Sequence, residues 1–162
     1  MPARILRVMK EEEGRPVTGN GPAALGVRLK DVGLNEDAPD ATEVNSGAGG
    51  MSVAGCLWTL SATLLPKRFE IIDPERFRGA RASNSQKVWR RGDGPYEPSP
   101  ISTDLDLRID DRSEPPGHGS VEPNRPMPMG DYRASLADTR DEWQVDEGHP
   151  NDCPVCKHYG FE

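Results

Sequence analysis

Leu105-Asp106-Leu107-Arg108-Ile109 alternates apolar and polar residues at period two. A strand sends successive side chains to opposite faces, so this pattern predicts a half-buried β-strand. Downstream, Val121 sits on a last strand within Pro116-Gly117-His118-Gly119-Ser120-Val121-Glu122-Pro123. Upstream, Val88-Trp89-Arg90 is a short strand before the turn cluster Gly92-Asp93-Gly94-Pro95. Ile5 to Met9 is an apolar strand preceding three glutamates, and Gly26-Val27-Arg28-Leu29 alternates as a second. Asn35 to Gly50 is polar, acidic and glycine-rich, a loop or a lid. Met51 to Leu65 reads as a strand entering a short helix that Pro66-Lys67-Arg68 ends, and Gly79 to Gln86 is again loop. The clearest helix runs from Asp131 to about Trp143, capped by Gly130 or Asp131. Met129, Tyr132, Leu136, Thr139 and Trp143 recur on it every three or four residues as one apolar stripe. Strands followed by one helix make an α+β chain with few short helices, unlike alternating βα units. There is no Gly-x-Gly-x-x-Gly and no phosphate loop ending in Gly-Lys-Ser/Thr.

The 162 residues fit one domain, assigned to 1–145, with 146–162 a polar tail that carries cysteine and histidine. Hydrophobic residues make up only 34 % of the chain, so its core must be economical, and 17 Gly with 16 Pro predict many turns. A net charge of −7 argues against nonspecific nucleic-acid binding, which needs a basic surface. Arginine outnumbers lysine 15 to 5, a bias that suits phosphate or carboxylate pairing but also follows from GC-rich coding. No apolar run approaches the ~20 residues that cross a membrane, the longest candidate, Met51 to Leu65, being interrupted by Ser, Thr and Gly. The start lacks a basic segment followed by an apolar one, so a cytoplasmic location is expected, with export by a signal-independent route left open. Three cysteines, an odd count, argue against a disulfide scaffold.

Three segments carry candidate chemistry. Arg7, on the first strand, offers a guanidinium to a phosphate or ribose, or is simply a surface arginine. In Gly49-Gly50-Met51-Ser52-Val53, a serine follows a glycine pair that lets the backbone approach a ligand, or the stretch is an ordinary loop-to-strand junction. Glu122 shares a strand face with Ser120, and His118 lies four residues before it. A carboxylate there suits a ribose hydroxyl and the oxocarbenium ion formed as a glycosidic bond breaks, or it is a solvated loop glutamate. Trp89 and Tyr96 flank a turn where they can stack on a flat ring, and for Trp89 a core role is equally open. The runner-up constellation is His149, Cys153, Cys156 and His158, whose ligand types suit zinc in a cramped tail. Cys56 lies far away among apolar neighbours and reads as buried, and no residue is assigned to a metal.

With those residues in view, the chain resembles small bacterial ADP-ribosyltransferase-like toxins of polymorphic toxin systems and type VI secretion effectors. The resemblance rests on Leu6-Arg7-Val8, Gly49 to Val53, Val88-Trp89, Leu105 to Ile109, His118 to Pro123 with Pro126-Met127, and Tyr132 to Trp143. It covers scattered blocks between residues 4 and 145. It implies an ADP-ribosyltransferase-like split two-sheet α+β fold around an NAD cleft. By similarity, Arg7 contacts the phosphate or ribose side of NAD, with Gly50 and Trp89 also lining its site. Ser52 shapes the nicotinamide end and orients the carboxylate, and Glu122 holds the nicotinamide ribose, with His118 sharing that work. An acceptor nucleophile then takes the ADP-ribose, or water does. The resemblance also implies a cognate immunity or antitoxin protein and delivery into a target cell. The alternative is a noncatalytic phage- or effector-associated binding module with a zinc-clipped tail. The serine lacks the flanking Ser/Thr pair usual in many such enzymes, and Pro123 directly follows Glu122.

Overall fold

The computed structural model describes residues 2–19, 23–110, 112–113 and 116–161. The first strand, β1 (Ile5–Glu12), is apolar on both sides: Ile5 and Met9 face one core, Leu6 and Val8 the other, and all four are buried. A continuous apolar run of this kind belongs in the middle of a sheet. The chain turns back at Glu13-Gly14, both at positive φ, into β2 (Arg15–Pro16). Then come β3 (Glu43–Val44), β4 (Met51–Ala54), α1 (Lys67–Ile72) and β5 (Gln86–Arg91). The remainder is β6 (Ser99–Pro100), β7 (Leu105–Asp110), β8 (His118–Pro123), β9 (Met127–Pro128), α2 (Met129–Ala137), β10 (Gln144–Val145) and α3 (Pro154–Tyr159). The result is a mixed α/β chain, with a mostly antiparallel sheet and few short helices. No helix among the described residues is long and apolar enough to cross a membrane.

The main sheet runs β10-β5-β1-β4-β8-β7-β6, with β2 beside β1, and β3 and β9 form a separate ribbon. Its middle is nearly parted. β1 pairs with β5 through six residue pairs and β4 with β8 through four, but β1 meets β4 only at Leu6 and Ala54. The sheet is therefore two antiparallel halves hinged on one pair, and the fork lies where Arg7 to Met9 run beside Val53 to Met51 without a ladder.

Two cores cover the halves. On one face Ile5, Met51, Val53, Leu105, Leu107 and Val121 pack against the α2 residues Met129, Tyr132 and Leu136. On the other, Leu6, Val8, Ala54 and Val88 pack against Leu57, Leu60, Leu65 and Phe69 of α1 and the turns before it. The five predicted stripe residues from Met129 to Trp143 are all buried. The helix itself starts two residues early, after Pro128, and stops at Ala137. Thr139 ends it by turning its hydroxyl back to the Leu136 carbonyl, 2.7 Å away. The expected strand at Gly26 to Leu29 does not form. The Arg28 backbone and guanidinium bind the Asp31 carboxylate instead, closing a 3-10 turn over Leu29–Val32. Pro66 likewise begins a helix rather than ending one, its fixed φ suiting the position before α1.

Tyr132 ties α2 to two adjacent strands of one half, β4 and β8. Its buried hydroxyl accepts the Met51 N–H at 3.0 Å and donates to the Val121 carbonyl. Replacing Tyr132 by Phe strands the buried Met51 N–H, so Tyr132→Phe should lower stability by about 1–3 kcal/mol. In urea denaturation the midpoint should fall at unchanged slope. An unchanged midpoint would mean that this tie carries no load.

Candidate functional site

Beside the open ladder between β1 and β4, the Arg7 side chain donates to three backbone carbonyls, one on β4 and two in the 24–26 segment. Its guanidinium donates to Ser52 O at 2.7 Å, to Ala24 O at 3.0 Å and to Gly26 O at 3.5 Å. Burial pulls the Arg7 pKa down to about 10, partly offset by Tyr132 and Asp31, so the group stays cationic at neutral pH. A cavity of about 430 Å³ opens at this point, and Arg7, Ser52 and His118 all line it, together with Thr59 and Leu60.

Strand register extends the polar surface beyond the cavity. Ser52 pairs with Ser120, which pairs with Arg108, so these three side chains share one sheet face. His118 and Glu122 stand two residues either side of Ser120 on that same face. Glu122 is buried and its carboxylate is fully engaged. One oxygen accepts the Gly47 N–H at 2.9 Å and lies 3.6 Å from Arg108 Nη1, while the other accepts the Ser120 hydroxyl. The structure thus brings Arg7, Ser52 and His118 into one cavity. It sets Glu122 beside them, facing a shallow depression of about 400 Å³ with Ser46 and Arg108.

Gly50 and Trp89 have other work. A Cβ on Gly50 would sit 2.5 Å from Val121 O and 2.7 Å from Tyr132 Oη, so its bare backbone makes room for Tyr132 and the Glu122 stem. Trp89 is 1 % exposed in the core and donates its indole N–H to Met9 O at 3.0 Å. Of its two readings the structure has the core one. Ser120 and Arg108 were not singled out from sequence, although the alternation through residues 105–109 and 118–122 places them on this face.

A second cluster lies at the other end of β4. Cys56, His149, Cys153 and Cys156 bring their ligand atoms within 4.8 Å of one another. This set differs from the one read in the tail alone, since Cys56 joins it and His158 does not. The available signal was arithmetic: three cysteines and one histidine complete a four-ligand set. Residues 153–161 pack on the body through these thiols, with Trp58, Val155 and Phe161 around them.

Compared with known proteins, the chain matches no family model, no curated protein and no solved structure.

Half-burial depresses the His118 pKa below its ordinary 6.5, with Asp110 opposing the shift more weakly. The imidazole is therefore neutral in the folded protein at neutral pH. As pH falls below 6.5 the unfolded chain takes up this proton first, so stability declines until pH passes below the folded pKa. His118→Gln should remove that share of the decline. Urea titrations of both proteins between about pH 7 and about pH 5 would check it, and a pH-independent difference between them would refute it.

Proposed function

We propose that this chain is an ADP-ribosyltransferase-like toxin that cleaves the nicotinamide–ribose bond of NAD and transfers ADP-ribose to a cellular acceptor. The observation that carries the reading is the fork: two antiparallel halves parting at Leu6 and Ala54, with the Arg7 cation beside a cavity that Ser52 and His118 line. A split sheet of this kind fits the ADP-ribosyltransferase-like fold implied by the sequence resemblance. In the reaction the C1′–N bond breaks and its electron pair leaves with nicotinamide, so positive charge develops on the ribose. Glu122, a carboxylate held in place by Gly47 and Ser120, is a fixed negative charge on the sheet face that Ser52 and His118 share. The acceptor nucleophile then bonds to C1′ and gives up its proton, with water as acceptor giving free ADP-ribose. Arg7 would orient the phosphate or ribose side and Ser52 the nicotinamide end. His118, neutral at physiological pH, is able to donate or accept one hydrogen bond there. A cognate immunity or antitoxin protein and action in the cytoplasm of a target cell belong to the same reading.

One observation favours a second reading, a noncatalytic binding module. The Glu122 carboxylate already has three partners, Gly47, Ser120 and Arg108, as a structural buried carboxylate would. Nicotinamide release from NAD, measured with and without cell lysate, separates the two. The enzyme reading expects release that falls by about 100-fold or more in Glu122→Gln, the scale of losing a group aimed at transition-state charge. Release confined to lysate would identify a macromolecular or metabolite acceptor. No release from folded wild-type protein, or equal release from Glu122→Gln, would leave the binding module.

A further inference from the structure

The four-ligand cluster is a site in its own right. Cys56 Sγ lies 3.5 Å from Cys156 Sγ, and His149 Nε2 lies 3.1 Å from Cys156 Sγ. A zinc ion with Zn–S near 2.3 Å and Zn–N near 2.0–2.1 Å needs ligand atoms about 3.5–3.8 Å apart in a tetrahedron. The observed ligand atoms, 3.1 and 3.5 Å apart in those two pairs and all within 4.8 Å of one another, bracket that spacing. All three thiols are buried and none is in a disulfide. The imidazole is held as well: His149 stacks on Trp58 with ring centroids 4.0 Å apart and planes 9° apart. Arg76 lies over that same Trp58 ring at 3.8 Å. It places a positive charge near a site that, with three thiolates and a divalent ion, carries a net negative one. Soft thiolates with imidazole select zinc over calcium or magnesium.

We propose that Cys56, His149, Cys153 and Cys156 bind one structural zinc ion. As the three Zn–S bonds form, the three thiol protons leave to solvent. Four protein ligands close the coordination sphere and leave no position for substrate, so the ion holds structure rather than performing chemistry. What it holds follows from where the ligands sit. Cys56 ends the turn out of β4, and its backbone is bound to the Thr59 hydroxyl in both directions, N–H at 3.2 Å and carbonyl at 2.9 Å. Thr59 is in the wall of the cavity that holds Arg7, Ser52 and His118. Across the ion, α3 lays Tyr159 against Gly117, the residue before His118. The zinc therefore staples the C-terminal segment to two sides of the cavity rim. The assignment is independent of any NAD chemistry.

The test uses the full chain, reduced and folded. Elemental analysis should find one zinc per chain, and cobalt(II) substitution should give the intense visible absorption of a tetrahedral thiolate site. Removing the metal with a chelator should lower the Tm by about 10 °C, and added zinc should restore it. Cys56→Ser and Cys153→Ser should lose the metal, whereas His158→Ala, outside the cluster, should keep it. Cysteine variants can fail to fold, so the chelation and cobalt measurements on the wild type stand apart from them. A reduced, folded wild type that neither carries zinc nor takes it up would overturn the proposal. So would a Cys56→Ser protein that retains a full zinc equivalent, or a Cys56–Cys156 disulfide found in place of the metal.

Discussion

Wherever two neighbouring strands part, their carbonyls and N–H groups lose each other, and a buried interior does not tolerate the loss. In this chain one side chain stands at the parting of β1 and β4 and supplies a donor to the Ser52 carbonyl there. Arg7 stands in the fork and gives its N–H groups to carbonyls from β4 and from the 24–26 segment. A guanidinium suits this position because its donors are fixed in a planar fork and its charge persists under burial. Without it, the two halves would have to close into a continuous ladder or expose the opened carbonyls to water. The same cation lines the cavity and neighbours the single hinge pair at Leu6.

The rest of the molecule braces the same opening from other sides. Tyr132 bonds β4 and β8 at the start of β4, and Gly50 lets it come that close. Gly47 and Ser120 hold the Glu122 carboxylate against the loop that precedes β4. On the far rim, the Cys56–Thr59 turn and the C-terminal helix meet at the thiol and imidazole cluster. Loops are the natural carriers of a site, but they hold a shape only when tied to rigid elements. Here the ties are a phenol, a carboxylate and a cluster of soft ligands, each linking segments far apart in sequence.

The two functional readings of Glu122 come from a single physical fact. A carboxylate bound by a backbone N–H, a hydroxyl and a guanidinium is both structurally satisfied and electrostatically fixed. Fixed negative charge beside a cavity is what oxocarbenium chemistry uses, and satisfied negative charge is what a folded core requires. Arg108, the third partner, is largely exposed, so the pair joins a buried carboxylate to a guanidinium at the surface.

Alternation at residues 105–109, the apolar run at 5–9 and the stripe from Met129 to Trp143 determined the strands, the main helix and their buried faces. These signals are local, set by whether a side chain must face inward at period two or near 3.6. The sequence also put Arg7, Ser52 and His118 forward, because their residue types, and for Ser52 and His118 the glycines beside them, are visible without coordinates. Only the tertiary structure decided that β1 and β4 share a single pair, that Trp89 is spent on packing, and that Cys56 meets the C-terminal cysteines. Strand pairing, ring burial and ligand convergence join residues tens of positions apart. Their energies depend on which surfaces meet, and no local pattern carries that information.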